Sequence, residues 1–297
     1  MENLRKDEFF ARAQLFAAIE GGSKYWSYEI DKVGPVAVLE CLKTGMYSSE
    51  KHSAGQISQR VKNFTGEQVL DRIHESGATF VTPEDADWPE QLRDLTNRPI
   101  GLILKGQRDR LSRLKKSISI VGSRNPTEYG KQIAAQLAEA AVDCGWAVVS
   151  GGAVGIDGSA HRGCIDAEGV TFAVLGGGIN KDYPISHRQL FDEISKTGLL
   201  ISEVMPDVSA VKHRFLTRNR LIAGLSKATV VIEAASRSGS IRTAHDAAEL
   251  MRLVMAVPGS IFSPTSQGCH SLISERSAEM VTSVKDVMEL VMPLAVE

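Results

Sequence analysis

SISIVGSRNPTEYGKQIAAQLAEAAVDCGWAVVSGGAVGIDGSAH, residues Ser117 to His161, sets the fold class. SISIVG and AVVSGG are short aliphatic and β-branched runs that close on glycine. They read as strands buried on both faces of a covered sheet. Between them Ile133, Leu137 and Ala141 recur every fourth residue, the stripe of an amphipathic helix. A strand, a turn, a helix and a second strand make the βαβ unit of a parallel sheet.

The pattern extends both ways. Downstream, VTFAVLGGG, LLISEV, ATVVIEAA and RLVMAVPG repeat the strand texture, and Ile241, Ala244, Ala248 and Met251 form another helical stripe. Upstream, ATFVTP and PIGLILKG read as two further strands around the loop EDADWPEQLRDL, where Trp88-Pro89 is a packed anchor. The expected class is α/β over residues 76–297. Residues 1–75 read as a small N-terminal helical domain. Phe9, Phe10, Ala13, Phe16 and Ala17 lie at helical spacing, Gly34 to Leu42 forms a second helix, and GEQVLDRIHESG places Val69, Leu70 and Ile73 on one face before a Gly77 cap. The polar stretch TGMYSSEKHSAGQ between them reads as a loop.

Composition excludes several classes. The 297 residues are 43% hydrophobic and 24% charged with a formal net charge of −2, so no whole-molecule field advertises a polyanion. Any nucleic-acid contact has to come from local patches. Cys41, Cys144, Cys164 and Cys269 lie far apart without CxxC spacing and read as reduced thiols. The seven histidines form no metal-ligand pattern, so neither metal nor cofactor is expected. No apolar run reaches the ~18–20 residues of a membrane span and the N-terminus lacks a signal-peptide core, which points to a cytoplasmic protein.

In an open parallel sheet ligands bind beyond the carboxyl ends of the strands, so the loops there carry the chemistry. After SISIVG, Gly122 gives a tight exit, Ser123 and Arg124 follow, and Thr127 caps the next helix. After AVVSGG, Gly151, Gly152 and Gly155 let backbone amides approach a phosphate that a Cβ would hold off. Gly176, Gly177 and Gly178 follow the next strand, with Tyr183-Pro184 beyond. After ATVVIEAA, Ser238, Gly239, Ser240 and Thr243 open a helix. None of these loops is GxGxxG or GxxxxGK[ST]. They describe a phosphate-reading groove without a triphosphate cradle.

The groove needs a cationic wall, and KHRFLTRNRLIAGLS, Lys212 to Ser226, supplies one. Lys212, Arg214, Arg218 and Arg220 stand in a stretch with no acidic residue between Asp207 and Glu233. Phosphates suit these cations, and Phe215 offers a stacking face for a base. Asp157 and His161 read as a pair or a turn cap, and Glu203 and Glu233 as carboxylates that accept from loop amides or hold Arg218 or Arg220.

The run GSRNPTEYG, SGGAVGIDGSAH, LGGGINKDYP, SEVMP, FLTRNRLIAGLS, SGSIRTA and AVPG resembles the DNA-processing protein A family, also called DprA or Smf, across Ala78 to Met280. The resemblance implies an extended Rossmann-like domain that forms a homodimer and binds single-stranded DNA in a positive pocket. It also implies protection of incoming strands during natural transformation and loading of a RecA-type recombinase, with single-strand-binding protein as a further partner. Matched motif by motif, the DNA contacts would be Ser123, Arg124, Gly151, Gly152, Gly155, Lys212, Phe215, Arg218, Asn219, Arg220, Ser238, Gly239 and Thr243, with no catalytic residue. Residues 1–75 fit the family's sterile-alpha-motif-like module, and its frequent C-terminal winged helix is expected to be absent. Met251 stands before Arg252 where the family has glycine, and Cys269, His270 and Arg276 depart from its last loop. Two other readings compete: a sensor that binds a nucleotide, and an enzyme similar to nucleoside-monophosphate phosphoribohydrolases with Asp246 assisting glycosidic cleavage.

Overall fold

A computed structural model describes residues 2–48 and 51–295. Five helices come first: α1 (Glu2–Ala18), α2 (Lys24–Val33), α3 (Pro35–Thr44), α4 (Ala54–Val61) and α5 (Gly66–Glu75). Thr65 opens α5 with a capping box to Gln68, which satisfies two orphan donors of the first turn. Two of the five escape the apolar pattern. α2 is announced only by the Ser23 cap, and α4 occupies the end of the polar stretch expected to be a loop. Ser49 and Glu50, inside that stretch, lie outside the described residues.

α1 explains why the helices do not stand apart from the sheet. Ala11, Arg12, Ala13, Gln14, Leu15 and Phe16 are all buried, so this part of the helix is enclosed on every side, while Lys6 and Asp7 before it are exposed. Its polar members are spent inside: Arg12 donates to Ile100 O and pairs with Glu84 at 2.6 Å, and Gln14 Nε2 donates to Val61 O and Phe64 O. One core runs from these helices into Phe80, Ile103, Ala173, Leu175 and Leu200 of the sheet.

The sheet has nine strands. β1 (Thr79–Val81) and β2 (Leu102–Gly106) precede the repeating units. Then follow β3 (Ser117–Gly122), α6 (Glu128–Asp143), β4 (Ala147–Ser150), α7 (Ile156–Asp166), β5 (Thr171–Leu175), α8 (Arg188–Thr197) and β6 (Leu199–Ser202). The chain continues through α9 (Lys212–Leu225), β7 (Ala228–Ile232), α10 (Gly239–Glu249), β8 (Leu253–Ala256), α11 (Gln267–Ser274), β9 (Glu279–Met280) and α12 (Val284–Val291). The spatial order is β1-β2-β6-β5-β4-β3-β7-β8-β9. β3 to β9 pair in parallel, and β1 and β2 add an antiparallel edge beside β6. Alternation along the strands feeds two faces: Ile118, Ile120, Val230 and Ile232 pack with α6 and α7, while Val121, Val149 and Val231 face α9 and α10.

The topology fixes where a ligand belongs. From β3 the chain builds outward through β4, β5 and β6, then crosses back to lay β7 on the other side of β3. The crevice between the carboxyl ends of β3 and β7 is the switch point of the sheet.

Candidate nucleic-acid interface

A cavity of about 590 Å³ opens at that switch point. Its floor is Val121 and Gly122 at the end of β3, and its walls come from the β3–α6 loop, α9 and the start of α10. Glu233, at the end of β7, ties the first loop down: Thr127 N and Oγ1 donate to its carboxylate at 2.8 and 2.5 Å. Ser123 Oγ accepts from Asn125 N, which leaves Arg124 projecting from a fixed turn.

On the opposite wall Phe215 is half-buried, its ring lying against Gly176. The Arg124 guanidinium sits 5.0 Å from the ring centroid, Arg218 sits 5.9 Å away, and Tyr183 packs at 5.2 Å. The ring is therefore part of a cationic stack rather than a bare aromatic face. Among the described residues Arg124, Lys212 and Arg237, all exposed, form no ion pair. Arg237 escaped the sequence reading although SRSGS places it at the mouth of a strand–helix turn.

Arg218 is a different kind of cation. It is 6% exposed, and its Nη1 donates to Gly151 O at 2.7 Å and to Val174 O, while Nε has no partner. Burial pulls its pKa down to about 10, opposed by the nearby Asp157 carboxylate. Asp157 is occupied by the Gly151 and Ala153 amides, at 3.1 and 3.3 Å, and burial pushes its carboxyl up. The Arg218 guanidinium is held by neutral carbonyls without a salt bridge, the Asp157 carboxylate offsets only part of its burial, and an anion above it would offset more of that desolvation. The N-terminus of α10 adds to the same field. Ser238 makes no side-chain cap bond, its Oγ being engaged with Ser240 Oγ at 2.6 Å, so the first amides of the helix are left for a ligand. Asn219 Nδ2 holds this end by donating to Gly239 O.

Nine expected residues line this cavity: Ser123, Arg124, Lys212, Phe215, Arg218, Asn219, Ser238, Gly239 and Thr243. Four lie elsewhere. Gly151 is glycine because a Cβ would strike the Arg218 guanidinium, Gly152 because it would strike Phe191, and Gly155 because it would strike Ser123 O. The three act by close packing behind the wall. Arg220 is sunk against Glu203 at 2.6 Å on the far side of α9, with 5% and 9% of the two side chains exposed. Arg214 also turns away, pairing with Glu20. Asp157 and His161 do not bond each other; His161 Nδ1 meets Thr171 Oγ1 at 2.7 Å instead. Asp246 pairs with Arg242 and lies outside the cavity, so no carboxylate reaches the phosphate site from α10. Among the described residues no His, Cys, Asp and Glu group is arranged to hold a metal, and no helix is long and apolar enough to cross a membrane.

The family described as DNA recombination-mediator protein A matches residues 79–292. The putative DNA processing protein DprA of Mycobacterium tuberculosis is 38% identical over 270 residues, 87% of this chain and 69% of that protein. The DNA processing protein DprA of Bacillus subtilis is 39% identical over 222 residues, 75% of this chain and 74% of that one. DNA processing protein A from Streptococcus pneumoniae superposes with a TM-score of 0.80 at 29% identity, covering 93% of this chain and 95% of its own. The protein of that name from Helicobacter pylori, described for its unique single-stranded DNA binding mode, gives a TM-score of 0.65 at 26% identity over 73% of this chain and 98% of its own. With the family match over residues 79–292 and relatives 38–39% identical along most of the chain, the protein belongs to the DNA recombination-mediator protein A family.

Proposed function

We propose that this chain binds single-stranded DNA in the switch-point cavity, protects the strand and helps load a RecA-type recombinase onto it. The observation that carries the reading is the charge pattern: Arg124, Lys212 and Arg237, without ion pairs among the described residues, around a buried Arg218 held by carbonyls and the open amides of α10. Cations and amides take phosphates, and the stack around Phe215 takes a flat base, a combination that suits a sequence-tolerant single strand. Family membership and the strand-binding relative support the same reading. The proposal includes a cytoplasmic homodimer that also meets single-strand-binding protein. It assigns no catalytic step, which fits an Asp157 carboxylate already engaged by backbone amides and an Asp246 outside the cavity.

Anisotropy titrations of oligo(dT) and of a duplex of equal length, from low to moderate salt, test it. The single strand should bind more tightly. Its log–log salt slope should fall by about 0.7 for each phosphate contact removed in Arg124→Ala or Lys212→Ala, with unchanged melting temperature. Equal duplex affinity, or variants that track the parent across the titration, would overturn the assignment.

A further inference from the structure

β8 lies beside β7 on the side away from β3, and Val257 prolongs that pairing by donating to Val231 O at 3.0 Å. The loop from Pro258 to Ser266 therefore leaves the same carboxyl edge of the sheet that holds the cavity, two strand spacings or roughly 10 Å from β3. α11, which follows the loop, packs on the β7–α10 connection. Gly268 N donates to Ala234 O at 2.7 Å, and a Cβ on Gly268 would crowd Ala235 O. Ala235 itself lines the cavity.

Two large apolar side chains stand out from this loop, Ile261 at 77% and Phe262 at 89% exposed. Single exposed apolar residues are ordinary, but an adjacent pair on a loop bonded to itself is held outward. Ser260 Oγ accepts from Phe262 N at 3.2 Å, while Ser263 N donates to Ser260 O and Ser266 N to Ser263 O, each at 3.0 Å. His270, one of the residues that depart from the family's last loop, clamps the foot of this turn. Its Nε2 lies 3.0 Å from Gly259 O and 3.3 Å from Gly259 N, so the ring bonds the loop in either tautomer. The surroundings suit a polyanion. No Asp or Glu occurs from Leu250 to Ser274, and the exposed Arg237 stands on the β7–α10 connection between the exits of β3 and β8.

We infer that a strand leaving the cavity across β7 stacks a base on Phe262, with Ile261 beside it, and that His270 is the positioning residue that holds this loop. The inference rests on the strand-binding reading above and extends its footprint from the cavity to the exit of β8. Phe215 shares its ring with Arg124 and Arg218, whereas the ring of Phe262 is open to solvent. Stacking on such a ring tolerates any sequence, because every base has a π-face. The cavity holds phosphates, and the loop adds a base contact further along the same strand.

Anisotropy titrations with oligo(dT) of about 4 and about 16 nucleotides test it, the shorter staying at the cavity and the longer reaching the loop. Phe262→Ser, at an exposed position, should weaken the longer strand about fivefold or more and leave the shorter as in the parent. Its salt slope should stay parental, because no phosphate contact is lost. Phe262→Trp should keep the affinity, with its indole emission quenched as the longer strand binds. His270→Ala should weaken the longer strand, and should add nothing to Phe262→Ser, since it acts through that ring. Additive losses would overturn the positioning role. A Phe262→Ser protein that binds both lengths like the parent, or loses both equally, overturns the inference. So does one whose mass in light scattering changes while strand affinity holds, which gives the loop to a contact between copies of the chain. If Arg124→Ala leaves both lengths at parental affinity, the strand-binding reading fails instead.

Discussion

Arg220→Ala separates a structural cation from a ligand-facing one. In the folded chain Nη2 lies 2.6 Å from Glu203 Oε1, while Nε and Nη1 donate to Asn97 O and Thr217 O. The pair also pins the α1–α2 connection, because Gly21 packs directly on the Glu203 carboxylate. Alanine leaves Glu203 buried without its counter-charge, which costs about 3–5 kcal/mol. At roughly 2–3 °C per kcal/mol for a chain of this size, the melting temperature should fall by about 6–15 °C. Differential scanning calorimetry at neutral pH reads that shift. Oligo(dT) affinity, measured well below the transition, should stay at the parental value. Replacing both partners, Arg220→Met with Glu203→Leu, removes the charges at similar volume and should restore most of the lost stability. An Arg220→Ala protein that melts with the parent but loses strand affinity would refute the reasoning and return Arg220 to the interface.

Two further outcomes follow from the backbone and from burial. Met251 is 93% exposed at φ 56°, a left-handed position where Cβ is disfavoured, so Met251→Gly should stabilise the fold by about 0.5–1 kcal/mol in urea titrations; a loss of stability would show that the Met251 side chain supports the turn. His161 is fully buried with Nε2 unpartnered, and burial pushes its pKa down to about 3, against ~6.5 in the unfolded chain. Its folded value is depressed, so the stability it contributes is present above pH 6.5 and drains as pH falls toward 3. One unit below the unfolded value the loss is about 1–2 kcal/mol. His161→Asn, which keeps a donor for Thr171 Oγ1, should flatten that slope, and an unchanged pH profile between 7.5 and 5.5 would disprove the burial argument.

The sheet was legible where residues report their own surroundings. The six runs from SISIVG to RLVMAVPG are strands because aliphatic and β-branched residues buried on both faces leave an unbroken apolar signature. β9, two residues long with both side chains exposed, carries no such signature. α1 was read from its spacing, but α2 and α4 were missed. Each is short and buries only two or three apolar residues, Trp26 and Ile30 in α2 and Ala54, Ile57 and Val61 in α4, whereas the longer α1 repeats its apolar spacing from Phe9 to Ala17.

The sequence by itself determined the βαβ order, the glycine-rich turns after β3, β4, β5 and β7, and the family. Chain chemistry decides these locally, through apolar runs, helix caps and turns that tolerate no Cβ. Only the tertiary structure decided which arginine of KHRFLTRNRLIAGLS does what. From Arg218 onward α9 is buried, so Arg218 and Arg220, two residues apart and on different sides of the helix, meet different neighbours. Arg218 finds the carbonyls of Gly151 and Val174 at the cavity floor, and Arg220 finds Glu203. Arginines in one cationic run look alike in sequence, and their roles diverge through carbonyls and carboxylates that lie far away in the chain and adjacent only in the fold.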